Sequence, residues 1–223
     1  MFIYEKLPRY DIREHDRVDG RWYFTPDGSF CSVTTILKEK LSNKKLEEWR
    51  EEVGEDEANQ ISFQSSSRGK IVHQALENYL KGVTFPEMKT PLMPSHKAMY
   101  LEAKKILDSR ITKVYGVEFP LYSKQLKAAG RTDALVEWLY QNVVLDFKTT
   151  NKNLDNSDER IYKYNLQTTA YAMMAEEMYS DKKFPYNVLV LLPMYDHPQI
   201  IIKTNDKYRS IVKKLFINSN EGV

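Results

Sequence analysis

The stretch "GRTDALVEWLYQNVVLDFKTT", residues 130–150, decides the fold. Its apolar runs, "ALVEW" and "VVL", read as the cores of two successive strands, near 126–138 and 143–149. An aspartate and a lysine, Asp146 and Lys148, then arrive where the second strand heads inward. A carboxylate in a core strand needs a partner or a metal, because burying it unpaired is costly. A two-residue turn at Leu139-Tyr140 closes five residue pairs and sets Asp133 opposite Asp146. Leu-Tyr is poor turn chemistry; Gln141-Asn142 is better, but a turn there needs a bulge to restore the face. With the first turn, Asp133, Asp146 and Lys148 share one face.

Two facing carboxylates repel unless a divalent cation sits between them. Hard oxygen ligands suit Mg²⁺ or Mn²⁺, one ion or two. The alternative is a structural ion pair, Asp146 with Lys148 or Asp133 with Arg131. Gly130 and Asp133, at this distance upstream, favour the metal.

Working outward, a strand is expected near 113–122 before the pair, and strands at 186–193 and 198–204 after it. A long helix lies between them at about 158–180, and a last one at 206–217. Upstream, "GRWYFTPDGSFCSVTTIL" (20–37) reads as a hairpin turned at Pro26-Asp27-Gly28 that leads into a helix. Helices follow at 43–53 and about 67–81, the second closed by Gly82. "TFPEMKTPLMP" (84–94) is too proline-rich for a long helix, and Ser95 is the expected cap of a helix running to about 109. The fold class is α/β, a mixed central sheet flanked by helices. We expect one domain over 1–223, residues 1–112 forming an N-terminal hairpin and helical part and 113–223 a catalytic sheet core with C-terminal helices.

Composition narrows the function. Hydrophobic content of 42% across 223 residues builds a sizeable core. No apolar run approaches the ~20 residues that span a bilayer, so no membrane role is expected. "MFIYEKLPRYDIREHD" lacks the apolar centre of a secretory signal, and the single Cys31 permits no internal disulfide; a cytoplasmic location is the expectation. One cysteine also excludes a four-cysteine Fe–S cluster. Net charge is only +2, with an acidic block at 47–57 and basic clusters at 97–113, 124–131 and 203–214, which permits a local nucleic-acid surface. "SSSRGK" is not a phosphate-binding P-loop, so no ATPase or helicase activity is expected.

Four blocks, in order, resemble the PD-(D/E)XK nuclease superfamily, nearest its RecB-like and mitochondrial-genome-maintenance-type exonucleases and their phage relatives. They are "SVTTIL" (32–37), "RGKIVH" (68–73) with Glu77, "GRTDAL" (130–135) with "LDFKTT" (145–150), and "QTTAY" (167–171). The resemblance implies a restriction-endonuclease-like core with an N-terminal helical extension. It implies that His73, Asp133, Asp146 and the backbone carbonyl of Phe147 are the metal ligands. Lys148 positions or deprotonates the attacking water, Glu118 supports the site, and Gln167 and Tyr171 orient Lys148 or contact DNA. Ser32, Thr34, Thr35, Arg68, Lys70, Arg131 and Thr149 are its DNA-binding candidates, and Trp49, Tyr79 and Tyr100 its candidate base-stacking rings. For Ser32, Thr34 or Thr35 a plain helix cap is an equal reading. His15, His96 and His197 have no such support.

The expected activity is metal-dependent DNA exonuclease action on single-stranded DNA with free ends, in replication, recombination or repair and with protein partners there. The alternatives are a resolvase- or restriction-type endonuclease on the same fold, and a non-catalytic DNA-binding accessory.

Overall fold

In a computed structural model that describes residues 2–42, 44–83 and 92–217, the chain opens with β1 (Ile3–Tyr4), β2 (Arg13–Arg17), β3 (Gly20–Thr25) and β4 (Gly28–Ser32). Four helices follow: α1 (Val33–Lys40), α2 (Lys44–Val53), α3 (Glu55–Leu80) and α4 (Pro94–Arg110). The second half runs β5 (Ile111–Ser123), β6 (Ala128–Trp138), β7 (Gln141–Thr150), α5 (Glu159–Met178), β8 (Tyr186–Pro193), β9 (Gln199–Thr204) and α6 (Asp206–Ile217). All strands among the described residues join one mixed sheet, parallel at β4–β6, β7–β8 and β1–β5 and antiparallel elsewhere. One face packs against α1, α5 and α6, the other against α3 and α4.

The hairpin of β6 and β7 turns at Leu139-Tyr140, and five pairs close it, from Trp138↔Gln141 to Ala134↔Leu145. Both turn residues have positive φ, 48° and 65°, the mirror-image turn that asparagine and glycine favour. Neighbouring structure overrides their preference: the Leu139 N–H donates to the Arg110 carbonyl at 2.8 Å, clamping the turn to the end of α4.

Above Ala134 and Leu145 the strands part. The next two residues are the carboxylates, and the Phe147 N–H, instead of joining the ladder to β6, donates to Asp133 Oδ2 at 2.7 Å. Further along β6, Ala128 and Ala129 pair with both β5 and β4. A strand has two hydrogen-bonding edges, so β4 takes the edge that β7 has left. β7 and β4 thus diverge from β6 like the tines of a fork, and Gly130-Arg131-Thr132-Asp133 fill the crotch.

β5 bends at the same level. Val117 faces α3 and α4 while Phe119 and Leu121 face α5, though residues two apart on a regular strand share a face. The reversal falls at Glu118, whose φ of 45° is left-handed. A Cβ on Gly116 would lie 2.2 Å from the Phe119 ring, so only glycine admits the turned chain.

Two helices differ from expectation. α3 begins twelve residues early, at Glu55: Gly54 at φ 89° breaks it from α2, and Glu55, Asp56 and Glu57 put negative charge on its N-terminal dipole. α4 is not capped by Ser95; it starts on Pro94 at its first position after Met93, with no side-chain cap. Gly82, at φ 83°, ends α3 as expected: its N–H donates to Tyr79 O and that of Val83 to Asn78 O. The proline-rich stretch lies mostly outside the described residues. No described helix is long and apolar enough to cross a membrane.

Candidate active site

Four expected residues converge in the crotch. Asp133 rises from β6 and Asp146 and Lys148 from β7, on the α5 side, while His73 reaches over from α3. The helix passes close to β7 one turn earlier, where a Cβ on Gly69 would make an ordinary contact with the Thr149 hydroxyl at 3.5 Å. His73 Nδ1 lies 3.3 Å from Asp133 Oδ2, and its ring meets that of Phe147 edge-on at 6.1 Å. Lys148 Nζ lies 2.7 Å from Asp146 Oδ2 and 4.9 Å from the centre of the Tyr164 ring. Asp146 is 2% exposed.

These contacts set the charges. Burial pushes the Asp146 carboxyl up and Asp133 adds to that, Lys148 only partly offsetting them, to about 6. Burial also pushes Asp133 up, but His73 and Lys148 outweigh it and hold the group below the usual carboxylate range. Burial pulls His73 down while Asp133 more than restores it, so the imidazolium persists above its ordinary value. Lys148 is likewise lowered by burial and raised further by Asp146 and Asp133. Two carboxylates are neutralised by two side-chain cations. The ion pair named as an alternative, Asp146 with Lys148, is therefore present; the other, Asp133 with Arg131, is not.

Do these residues fit a divalent cation? Among the described residues, no three His, Cys, Asp or Glu side chains stand close enough together to hold an ion as they are. The donor set is nonetheless suited to one. Asp146 Oδ2 is buried with no aligned hydrogen bond, its contact with Lys148 being an ion pair off the hydrogen-bond angle. Asp133 keeps a second oxygen beyond the one bonded to Phe147 and His73. The Phe147 N–H points toward β6, and the carbonyl of the same residue points to the same edge. Binding would require that the donor atoms of His73, Asp133 and Asp146 draw together, that His73 lose its proton and that Lys148 swing aside.

Glu118 stands at the rim, pushed up by burial and then by Asp133 and Glu77, with Arg131 and His73 opposing. Arg131 bridges it to β2, its two Nη atoms each 3.5 Å from Glu118 and Glu14. Tyr171 is 2% exposed and lies on Gly130, where a Cβ would come within 2.7 Å of the ring. Burial pushes its phenol far up, and a hydrogen bond with Gln167 offsets only part of that. Gln167 thus meets Tyr171, and the α5 ring that lies against the Lys148 ammonium is that of Tyr164, three positions before Gln167 on the same helix face. Sequence reading passed over it, although that spacing was visible.

The remaining candidates scatter around the fork. Ser32 is buried and accepts the Thr35 N–H at 3.0 Å, so the plain cap holds for it; Thr34 is exposed on the first turn of α1, and Thr35 Oγ1 accepts the Arg21 N–H at 3.2 Å. Arg68 donates to Asn151 at 2.8 Å beyond the end of β7, its Nε buried without a partner, and Lys70 is exposed. Of the proposed stacking rings, Tyr100 is 1% exposed and packs edge-on against Tyr79, which hydrogen-bonds Asp108; both belong to the α3–α4 packing. Trp49 lines a cleft of about 740 Å³ with Leu46, Ile61 and Lys163.

No protein-family model matches the chain. It is 29% identical over 132 residues to the mitochondrial genome maintenance exonuclease 1 of Mus musculus, 56% of this chain and 38% of that protein. To the Homo sapiens protein of the same name it is 27% identical over 129 residues, 54% of this chain and 37% of that one. The chain thus spans well under half the length of these relatives. A crystal structure of a candidate exonuclease from Eubacterium rectale covers 69% of both chains at 10% identity, with a TM-score of 0.42, too loose a likeness to bear on function. Over a little more than half of its length, then, this chain is similar to proteins named as exonucleases.

Proposed function

We propose that the chain is a Mg²⁺- or Mn²⁺-dependent deoxyribonuclease on a PD-(D/E)XK-type core, removing nucleotides from free ends of single-stranded DNA. The observation that carries this is the fork: β6 and β7 part at Asp133 and Asp146, and His73 and Lys148 close on them from two sides. The similarity to exonuclease-named proteins supports the same reading.

His73, Asp133, Asp146 and the Phe147 carbonyl would hold the ion. A bound divalent cation polarises phosphate oxygens and lowers the pKa of water. The chain's own residues do the rest. Lys148, kept protonated by Asp146 and Asp133 against burial, donates hydrogen bonds to the attacking water or to the scissile phosphate. Tyr164 lies under its ammonium. Gln167 and Tyr171 pin β6 at Gly130, holding the strand that carries Asp133. Glu118 steadies Arg131, whose half-exposed guanidinium faces solvent beside the site, ready for the DNA backbone. Hydrolysis leaves a 5′-phosphate. A role in replication, recombination or repair, with partners there and in the cytoplasm, completes the proposal.

Labelled linear and circular DNA, single- and double-stranded, incubated with Mg²⁺, Mn²⁺ or chelator tests it. Wild type should shorten linear single strands only when metal is present. Asp146→Ala and Lys148→Ala should lose most turnover yet still bind DNA. Digestion of circles as fast as of linear strands would make it an endonuclease, and equal digestion by Asp146→Ala would end the mechanism.

A further inference from the structure

β2 reads Arg13-Glu14-His15-Asp16-Arg17, basic and acidic residues in strict alternation. Side chains alternate across a strand, so the two signs part onto opposite faces. The acidic face is used within the fold. Glu14 accepts the Tyr23 hydroxyl at 3.1 Å, pairs with Arg21 at 3.2 Å and receives Arg131 from the fork at 3.5 Å. The basic face turns outward, and the register of β3 places Phe24 opposite Arg13 and Trp22 opposite His15 on that same face. The Arg17 guanidinium lies 4.4 Å from the Trp22 ring centre and 5.9 Å from that of Phe24, and the His15 and Phe24 rings stand 5.4 Å apart. All five residues of β2 are exposed and Phe24 is 47% exposed. Arg13 is neutralised by Asp11 at 2.7 Å, but among the described residues no carboxylate pairs with Arg17, which donates only to the Ser29 hydroxyl.

An exposed Phe24 ring, beside a half-buried Trp22 that carries the uncompensated Arg17 on its face, forms a surface with two affinities. A ring face accepts any base, and the cation meets phosphate or stacks in turn. Duplex bases are already stacked on one another and offer no free face, so the occupant this chemistry selects is a single strand. β4 joins these strands to the fork, Ser32 pairing with Ala129 one residue before Gly130; β2 is the edge of the sheet and meets Arg131 on its opposite, acidic face, so a strand bound here reaches the fork around that edge. We propose that the outward face of β2 and β3, built on Arg17, His15, Trp22 and Phe24, is a stacking platform for single-stranded DNA. It rests on the nuclease reading only in taking that DNA to be the substrate.

The test uses the full chain carrying Asp146→Ala, in chelator, with a fluorescent oligothymidylate followed by polarisation. Phe24→Ser and Arg17→Glu should each weaken binding at least about fivefold, the loss of one stacked base or one phosphate contact. Unfolding transitions show whether each variant folds; should Phe24→Ser fail to, Arg17→Glu decides. In the active chain, Arg17→Glu should raise the KM for single strands and leave kcat in place. A loss smaller than fivefold, or an equal loss for duplex of the same length, overturns the platform. Failure of the nuclease reading would look different: no metal-dependent digestion by wild type, whatever the affinity.

Discussion

Gly130 shows how one missing methyl shapes the site. Its absent Cβ is the space that Tyr171 occupies, so Gly130→Ala forces the ring or β6 to move. We expect a cost of about 1–3 kcal/mol, read as a lower thermal midpoint, with a larger fall in turnover because Asp133 lies three residues on. Tyr171→Leu in the same chain should recover stability but not activity. Glu118 is the opposite case, a side chain where the backbone would prefer none. Left-handed non-glycine residues cost of order 1–3 kcal/mol and persist where surrounding structure enforces them. Glu118→Gly should therefore keep or raise the midpoint while activity drops, because Arg131 loses its anchor. An unaltered rate would show that the bend, not the carboxylate, is what matters there.

The elements were legible where periodicity is strong and illegible where a neighbour decides. β5 to α6 sit within a few residues of their expected places because alternating and helical apolar patterns mark them. β2 carries no apolar residue at all and exists only through its pairing with β3, so nothing in "REHDR" announced it. The twelve extra residues of α3 run through "EDEANQISFQSS", a stretch in which Ala58 alone is buried. Within the site, the facing of Asp133 and Asp146 followed from counting residues and Tyr164 was marked by its spacing before Gln167, whereas the parting of the strands followed from neither. The β6–β7 turn is the clearest conflict between local preference and tertiary demand. Leu139→Asn with Tyr140→Gly supplies the residues the turn wants and removes two exposed hydrophobics, 48% and 80% exposed. We expect a gain of about 1 kcal/mol in urea denaturation with unchanged activity; a loss would mean that the Leu139 and Tyr140 side chains make contacts the turn needs.

Across the whole molecule, the buried charges of the site tie stability to pH, and the proposed metal would tie it to a divalent cation as well. His73 holds its proton above its ordinary value and Asp146 titrates near 6, so both keep protons in the fold that the unfolded chain has released. Stability from such groups is present at low pH and lost as pH climbs through their folded values. Asp133 works in the other direction, but only below the usual carboxylate range. In chelator, the thermal midpoint should fall as pH rises from about 5 to 8, and Mg²⁺ should restore it at the upper end. Combining His73→Gln with Asp146→Asn should flatten both responses. A wild-type midpoint indifferent to pH in this window would mean that the charges are arranged otherwise.

The most direct measurement is calorimetric titration of Mn²⁺ into the chain at pH 8, with wild type beside Asp133→Asn, Asp146→Asn and His73→Gln. The fork as a metal site predicts heat of binding for wild type and a loss of at least tenfold in affinity for each variant. Binding to all four alike, or to none, would contradict it.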